Sequence, residues 1–123
     1  MALYEILEDG TPKKVAGNGA MGISETRLYN GSSVSNAGTT ITLNDSISNY
    51  KELIFIQNYD SYFTTDNIPV DFFKLMTGNN SFLVYVYGDT GVTRCVAYQY
   101  VDDTHINLFI LQGAKFFTVY GVK

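Results

Sequence analysis

Residues 81–101 read Ser81-Phe-Leu-Val-Tyr-Val-Tyr87, Gly88-Asp-Thr-Gly91 and Val92-Thr-Arg-Cys-Val-Ala-Tyr-Gln-Tyr-Val101, two apolar runs around a glycine-bounded turn. In a β-strand, side chains at every second position lie on one face. Gly, Asp and Thr between the runs favour a tight turn. The stretch predicts a β-hairpin whose first strand carries Phe82, Val84 and Val86 on one face and Leu83, Tyr85 and Tyr87 on the other.

Further strands are predicted on both sides of this hairpin. They are Thr39–Leu43, Leu53–Ile56, His105–Leu111 and Lys115–Tyr120, each bounded by turn residues. Strands that recur at roughly 8–12-residue spacing are typical of antiparallel sandwiches and barrels. No strand alternates with a helical segment, which excludes an α/β enzyme fold. We therefore expect an all-β fold, an antiparallel β-sandwich or jelly-roll-like domain over residues 24–123.

Three segments are less regular. Asn30-Gly31 is the strongest two-residue hairpin signal in the chain. Residues 58–80 mix Tyr and Phe with Asp, Ser and Thr, which indicates a long aromatic loop, and Val70–Met76 within them is a short helix or a strand. Residues 1–23 contain three glycines between Gly17 and Gly22 and predict an N-terminal arm or attachment segment. The alternative for this segment is an edge hairpin packed on the domain.

Composition and charge exclude several classes of protein. Apolar residues make up 46% of the chain, charged residues only 16%, and the net charge is −4. Disorder needs low hydrophobicity and high net charge, and nucleic-acid binding needs clustered Lys and Arg, so both are excluded. No apolar run approaches the ~18 residues of a membrane helix, so we expect no membrane insertion. One Cys excludes an internal disulfide, and the first residues lack the pattern of a signal peptide, so synthesis in a cytoplasm is expected.

The residues that catalysis or metal binding would need are few. The single His105 follows Asp102 in a predicted hairpin, where it could be a metal ligand or a base, although a solvated turn is the simpler interpretation. Cys95 lies in an apolar strand and is best explained as a small buried hydrophobe. Gly17-x-Gly19-x-x-Gly22 matches a dinucleotide fingerprint, but no helix follows it. We expect no enzyme activity, no catalytic residue, no cofactor and no metal site.

Tyrosine favours recognition over catalysis. Ten Tyr and eight Phe bring the aromatic share to 15%, and Tyr provides contact area with a polar tip at low entropic cost. The alternative for each Tyr is a cross-strand pair on a sheet surface. The residues expected to contact a ligand or partner are Tyr59, Tyr62, Phe63, Tyr98 and Tyr100.

Several segments resemble small virion structural proteins of bacteriophages and prophages. Tyr29–Phe55 contains a Gly/Ser turn, the strand Thr40-Ile-Thr-Leu43 and the turn Ser46-Ile-Ser-Asn-Tyr50, which is similar to a pattern in those proteins. The ending Phe116-Phe-Thr-Val-Tyr-Gly-Val122 resembles their aromatic finish. The opening Met1-Ala-Leu-Tyr-Glu-Ile6 resembles the arms with which tail-fibre-like proteins attach to the virion. The resemblance covers about residues 1–57 and 81–123.

The resemblance implies a non-enzymatic tail-fibre-like or head-fibre-like protein, localised to the virion after assembly in the bacterial cytoplasm. Its expected partners are two further copies of itself in a homotrimer, other virion proteins and a host surface glycan. Apolar residues on both faces of strands 53–56 and 81–87 independently predict self-association. The alternative functions are a stand-alone carbohydrate-binding module and a small hydrolase.

Overall fold

The computed structural model describes residues 4–6, 12–14, 25–31, 38–89 and 91–123. In the predicted arm it describes two short strands, β1 (Tyr4–Ile6) and β2 (Pro12–Lys14), which pair antiparallel with Tyr4 opposite Lys14. The rest of the predicted arm lies outside the described residues.

Two antiparallel four-stranded sheets pack face to face, which confirms the predicted all-β sandwich. The first sheet has the order β3-β10-β5-β6 and the second sheet has the order β4-β9-β8-β7. The strands are β3 (Glu25–Asn30), β4 (Thr39–Thr42), β5 (Glu52–Tyr59), β6 (Tyr62–Pro69), β7 (Phe82–Asp89), β8 (Val92–Asp102), β9 (His105–Leu111) and β10 (Lys115–Val122).

The core lies between the sheets and is dominated by aromatic rings. Phe55 of β5 packs on Tyr98 of β8 with 4.0 Å between ring centroids, and Phe116 meets the Tyr98 ring edge-on at 6.2 Å. Gln57 is a polar residue in this apolar layer, and its side chain is completely buried. Its Oε1 accepts a 2.6 Å hydrogen bond from the Tyr98 hydroxyl, and its Nε2 donates to the carbonyl and hydroxyl oxygens of Thr64. The buried amide is thus fully paired, as a group out of water requires.

One prediction about the chain's connections is wrong, and another falls outside the described residues. Asn30 ends β3, which pairs with β10, and the residues from 32 to 37 that would complete the hairpin predicted at Asn30-Gly31 lie outside the described residues. Residues 58–80 are not a long loop, because β6 pairs along its whole length with β5. Thr65, Asp66 and Asn67 are exposed on this edge strand, which explains why its sequence does not look like a strand. A short helix, α1 (Val70–Phe73), follows β6 and falls within the predicted helical segment.

Polar contacts tie together the end of the sandwich that carries α1. A 3-10 helix spans Ile47–Asn49, and Asp45 just before it accepts hydrogen bonds from the Ser46 N–H, the Asn49 amide and the Tyr50 hydroxyl. Asp103 in the β8–β9 turn accepts from the hydroxyls of Tyr100 and Ser48, each at 2.7 Å. In the part of the chain that the structure describes, no helix is long and apolar enough to cross a membrane.

Candidate functional site

The structure separates the five predicted contact residues. Tyr59 and Tyr62 flank the two-residue turn between β5 and β6 and face each other in the register. Phe63 is 56% exposed beside them. Tyr100 lies at the opposite end of the sandwich, where it is held by Asp103. The inclusion of Tyr98 is corrected, because its ring is completely buried in the core and presents no surface.

Tyr59 and Tyr62 belong to an aromatic stack that joins the two sheets. Tyr87 of β7 stacks on Tyr62 with 5.3 Å between centroids and on Tyr59 with 5.6 Å, with the rings within 20° of parallel. The guanidinium carbon of Arg94 lies 4.0 Å from the Tyr59 ring centre and 5.4 Å from that of Tyr87. These four residues, Tyr59, Tyr62, Tyr87 and Arg94, are called the tyrosine–arginine cluster below.

A β-bulge brings Tyr87 into this cluster. The predicted alternation places Tyr87 on the same strand face as Leu83 and Tyr85. The β7–β8 register instead shifts between Tyr85 and Tyr87, so that Tyr87 lies opposite Arg94. An extra residue in one strand moves the following side chains to the other face. The period-2 pattern is therefore right up to Tyr85 and wrong at Tyr87.

Arg94 is held by rings rather than by acceptors. Its Nε and Nη1 atoms are buried, and no hydrogen-bond partner for them is found. The ion pairs found among the described residues are Lys74 with Asp103 and His105 with Asp102, so no described carboxylate balances Arg94. Stacking on tyrosine faces stabilises a guanidinium but leaves its in-plane N–H groups unsatisfied. The cluster therefore contains a cation with two N–H-bearing nitrogens, Nε and Nη1, for which no hydrogen-bond acceptor is found.

The outer face of the second sheet is a separate feature. Two rows cross β7, β8 and β9 in register, Leu83–Ala97–Phe109 and Tyr85–Cys95–Leu111. Leu83 is 43% exposed, Tyr85 63%, Phe109 37% and Leu111 48%. These two rows are called the apolar face below. Cys95 is buried within it, as predicted, and burial raises the pKa of its thiol.

The contact between His105 and Asp102 lies within the β8–β9 turn and stabilises it. His105 Nδ1 lies 2.8 Å from Asp102 Oδ1, and the same oxygen accepts from the Thr104 N–H at 2.9 Å. The pKa of Asp102 is lowered first by the Thr104 N–H and then by His105. The described residues contain no group of three or more His, Cys, Asp or Glu side chains able to hold a metal ion, and they enclose no detected pocket.

No known family model matches the sequence, and a search of curated proteins finds no relative. The candidate sites therefore depend on geometry. Sequence reasoning found Tyr59 and Tyr62 but missed Arg94 and Tyr87, because one arginine in an apolar strand has no distinctive pattern. The apolar face does have a signal in the sequence. It consists of Leu83, Tyr85, Phe109 and Leu111, which are large apolar residues on the solvent side of strands whose other face is also apolar.

Proposed function

We propose that this protein is a structural, non-catalytic component of a phage or prophage particle, and that it assembles with copies of itself through the apolar face. The observation that carries the proposal is the row of exposed Leu, Tyr and Phe side chains across three paired strands. The phage assignment and the choice of a trimer come from the sequence resemblance.

The size of the apolar face suits the centre of an interface. Four large apolar side chains at about half exposure leave on the order of 400 Å² uncovered, within the roughly 300–600 Å² of the largest apolar patch on a typical monomer, which is often functional. A stable interface needs roughly 800 Å² per partner, with an apolar centre and a polar rim. Thr93, Gln99 and Asn107 continue the face beyond the two apolar rows and would supply such a rim.

The absence of charge in the face favours a second copy of the chain as its occupant. Leu83, Ala97, Phe109, Tyr85, Cys95 and Leu111 include no ionisable carboxylate or amine. Two copies of a chain with net charge −4 repel each other least where their contact surface is uncharged. Identical chains with a self-complementary surface usually close into a symmetric assembly.

Sedimentation velocity at micromolar concentration tests the assembly. We expect the wild type to sediment with three times the 13.7 kDa chain mass, and Leu111→Lys to sediment as a monomer. Leu75→Lys is the matched control, because Leu75 is 59% exposed near α1, away from the apolar face, and should leave the mass unchanged. A monomeric wild type would overturn the proposal, whereas a dimer would overturn only the trimer.

The particle assignment needs its own test. Mass spectrometry of particles purified from a lysed source culture should detect the chain, and an antibody against it should label one structure under the electron microscope. Particles that lack the chain would refute a virion role. Saturable hydrolysis of a glycan or ester that is abolished by His105→Ala would refute the non-catalytic role.

A carbohydrate-binding module is the second candidate function. The stacked tyrosines at one end of the sandwich favour it, because Tyr62 is 54% exposed and offers a flat ring to a ligand. This candidate does not depend on the apolar face.

A further inference from the structure

We propose that Tyr85 of one copy inserts over Ala97 of a neighbouring copy, so that a knob and a notch on the apolar face set how the chains fit together. The inference rests on the proposed self-assembly and deepens it, because it names the two residues that meet. Both lie on the outer surface of the second sheet, Tyr85 on the edge strand β7 and Ala97 on β8. The occupant of the notch is a second copy of this chain.

Ala97 forms the floor of a shallow notch between larger side chains. It is partly exposed, and the register places Leu83 of β7 and Phe109 of β9 on either side of it. Paired strands lie about 4.8 Å apart, so these two walls stand roughly 10 Å from each other. Cys95, the next residue of β8 on this face, is only 2% exposed, so the depression is confined to Ala97.

Two contacts keep the neighbouring side chains out of the notch. The Phe109 ring lies against Gly38, where an added Cβ would be 2.8 Å from the ring, so the ring leans toward β4 and away from β8. The Gln99 Nε2 donates hydrogen bonds to the carbonyl oxygens of Gly78 and Asn80, at 2.9 and 3.1 Å, which holds this side chain toward the loop before β7. The side chains that could fold over the floor of the notch are therefore anchored elsewhere.

Tyr85 is the matching knob. At 63% it is the most exposed large apolar side chain among the described residues. Its cross-strand partner is Cys95, so Ala97 lies on the diagonal, about 7 Å away on the same face. Tyrosine is a common anchor at the centre of protein interfaces, where its ring fills a depression in the partner and excludes water. Because knob and notch lie side by side, each copy can both insert a ring and receive one, as a closed assembly of identical chains requires.

Shape distinguishes this contact from a loose hydrophobic association. A larger apolar side chain in place of Ala97 adds contact area, which strengthens an association that depends on apolar area alone. The same side chain fills the notch and holds the copies apart where a ring must enter, because closely packed contacts tolerate added volume poorly. The two explanations therefore predict opposite effects for Ala97→Phe.

Sedimentation velocity over a concentration series measures the association constants of the wild type and the variants. We expect Ala97→Phe and Tyr85→Ala each to weaken association at least about ten-fold. The double variant exchanges the large and the small side chain, and its association should return to within about three-fold of the wild type. Thr65→Phe is the matched control, because Thr65 is exposed on the edge strand β6 of the other sheet, and it should associate as the wild type does.

The outcomes separate this inference from the proposed assembly. A monomeric wild type would overturn both. A wild type that assembles, with Ala97→Phe associating equally or more tightly, would retain the apolar face as the interface and overturn the knob and notch. A double variant as weak as the single variants would show that Tyr85 and Ala97 do not meet. Circular dichroism verifies the fold of each variant, and Ala97→Leu repeats the test with a smaller side chain in the notch.

Discussion

Tyr98 and Gln57 form the most consequential pair of single residues in the core. Tyr98→Phe leaves the buried Gln57 Oε1 without its donor, and Gln57→Leu leaves the Tyr98 hydroxyl without its acceptor. We expect each substitution to lower the free energy of unfolding by about 1–3 kcal/mol, because an orphaned buried polar group loses its hydration without compensation. The double variant should lose less than the sum. Urea unfolding of the four proteins measures this, and strictly additive losses would contradict a direct bond.

Gly121 is required by the position of Tyr50. A Cβ at Gly121 would lie 2.6 Å from the Tyr50 ring, which is itself held through its hydroxyl by Asp45. We expect Gly121→Ala to cost about 1–3 kcal/mol, the usual range for overpacking. Gly88→Ala is the matched control in another strand, because nothing lies within 4 Å of its added Cβ. Thermal unfolding separates the two, and an equal melting temperature for both variants would contradict the steric explanation.

At the scale of elements, Asp103 connects the β8–β9 turn to the 3-10 helix. Hydrogen bonds from Tyr100 and Ser48, in that order, lower the pKa of Asp103. A carboxyl whose pKa is lower in the folded protein stabilises it above the unfolded pKa, and this stability is lost as the pH falls through the folded pKa. We expect the urea concentration at the unfolding midpoint to decrease as the pH is lowered below about 4. The decrease should be smaller in Asp103→Asn. Parallel pH profiles for wild type and variant would disprove this role.

The same contact acts on Tyr100 in alkali. Its hydrogen bond to Asp103 is the main cause that raises the pKa of Tyr100 to about 12, with burial second. Because the neutral phenol is favoured in the folded state, its contribution is complete below the ordinary value near 10 and is lost as the pH rises through about 12. We expect Tyr100→Phe to unfold with a weaker pH dependence in this range. Urea midpoints measured from pH 9 to pH 12 test this, and an unchanged slope would contradict it.

Elements differed in how well the sequence predicted them. β7 and β9 were predicted from strict alternation, since one face of each must enter the core. β6 was predicted as a loop because it is an edge strand whose polar side chains need no core pattern. The described partner of β3 is β10, at the other end of the chain, and no signal near β3 indicates this pairing. Local turn chemistry does not reveal which distant strand supplies the hydrogen bonds.

For the whole molecule, the pairing of β3 with β10 joins the first and last strands of the sandwich. Loops that close over most of the chain cost entropy before their contacts form, so such folds refold slowly. We expect Leu111→Lys, the variant proposed to be monomeric, to refold in milliseconds to seconds in a stopped-flow experiment. Refolding within microseconds would contradict the long-range topology.

The sequence by itself determined the fold class and the surplus of apolar surface. Period-2 alternation and a low charge content are properties of the chain alone, and they predict strands with too few charges to protect both faces. Only the tertiary structure decided which tyrosines meet. Tyr98 lies in the core because it shares the inward face of β8 with Val96 and packs on Phe55 of the other sheet. Tyr87 reached Arg94 and Tyr59 through a bulge in β7. The physical reason is that strand pairing and register depend on residues far apart in the chain, which a local pattern does not encode.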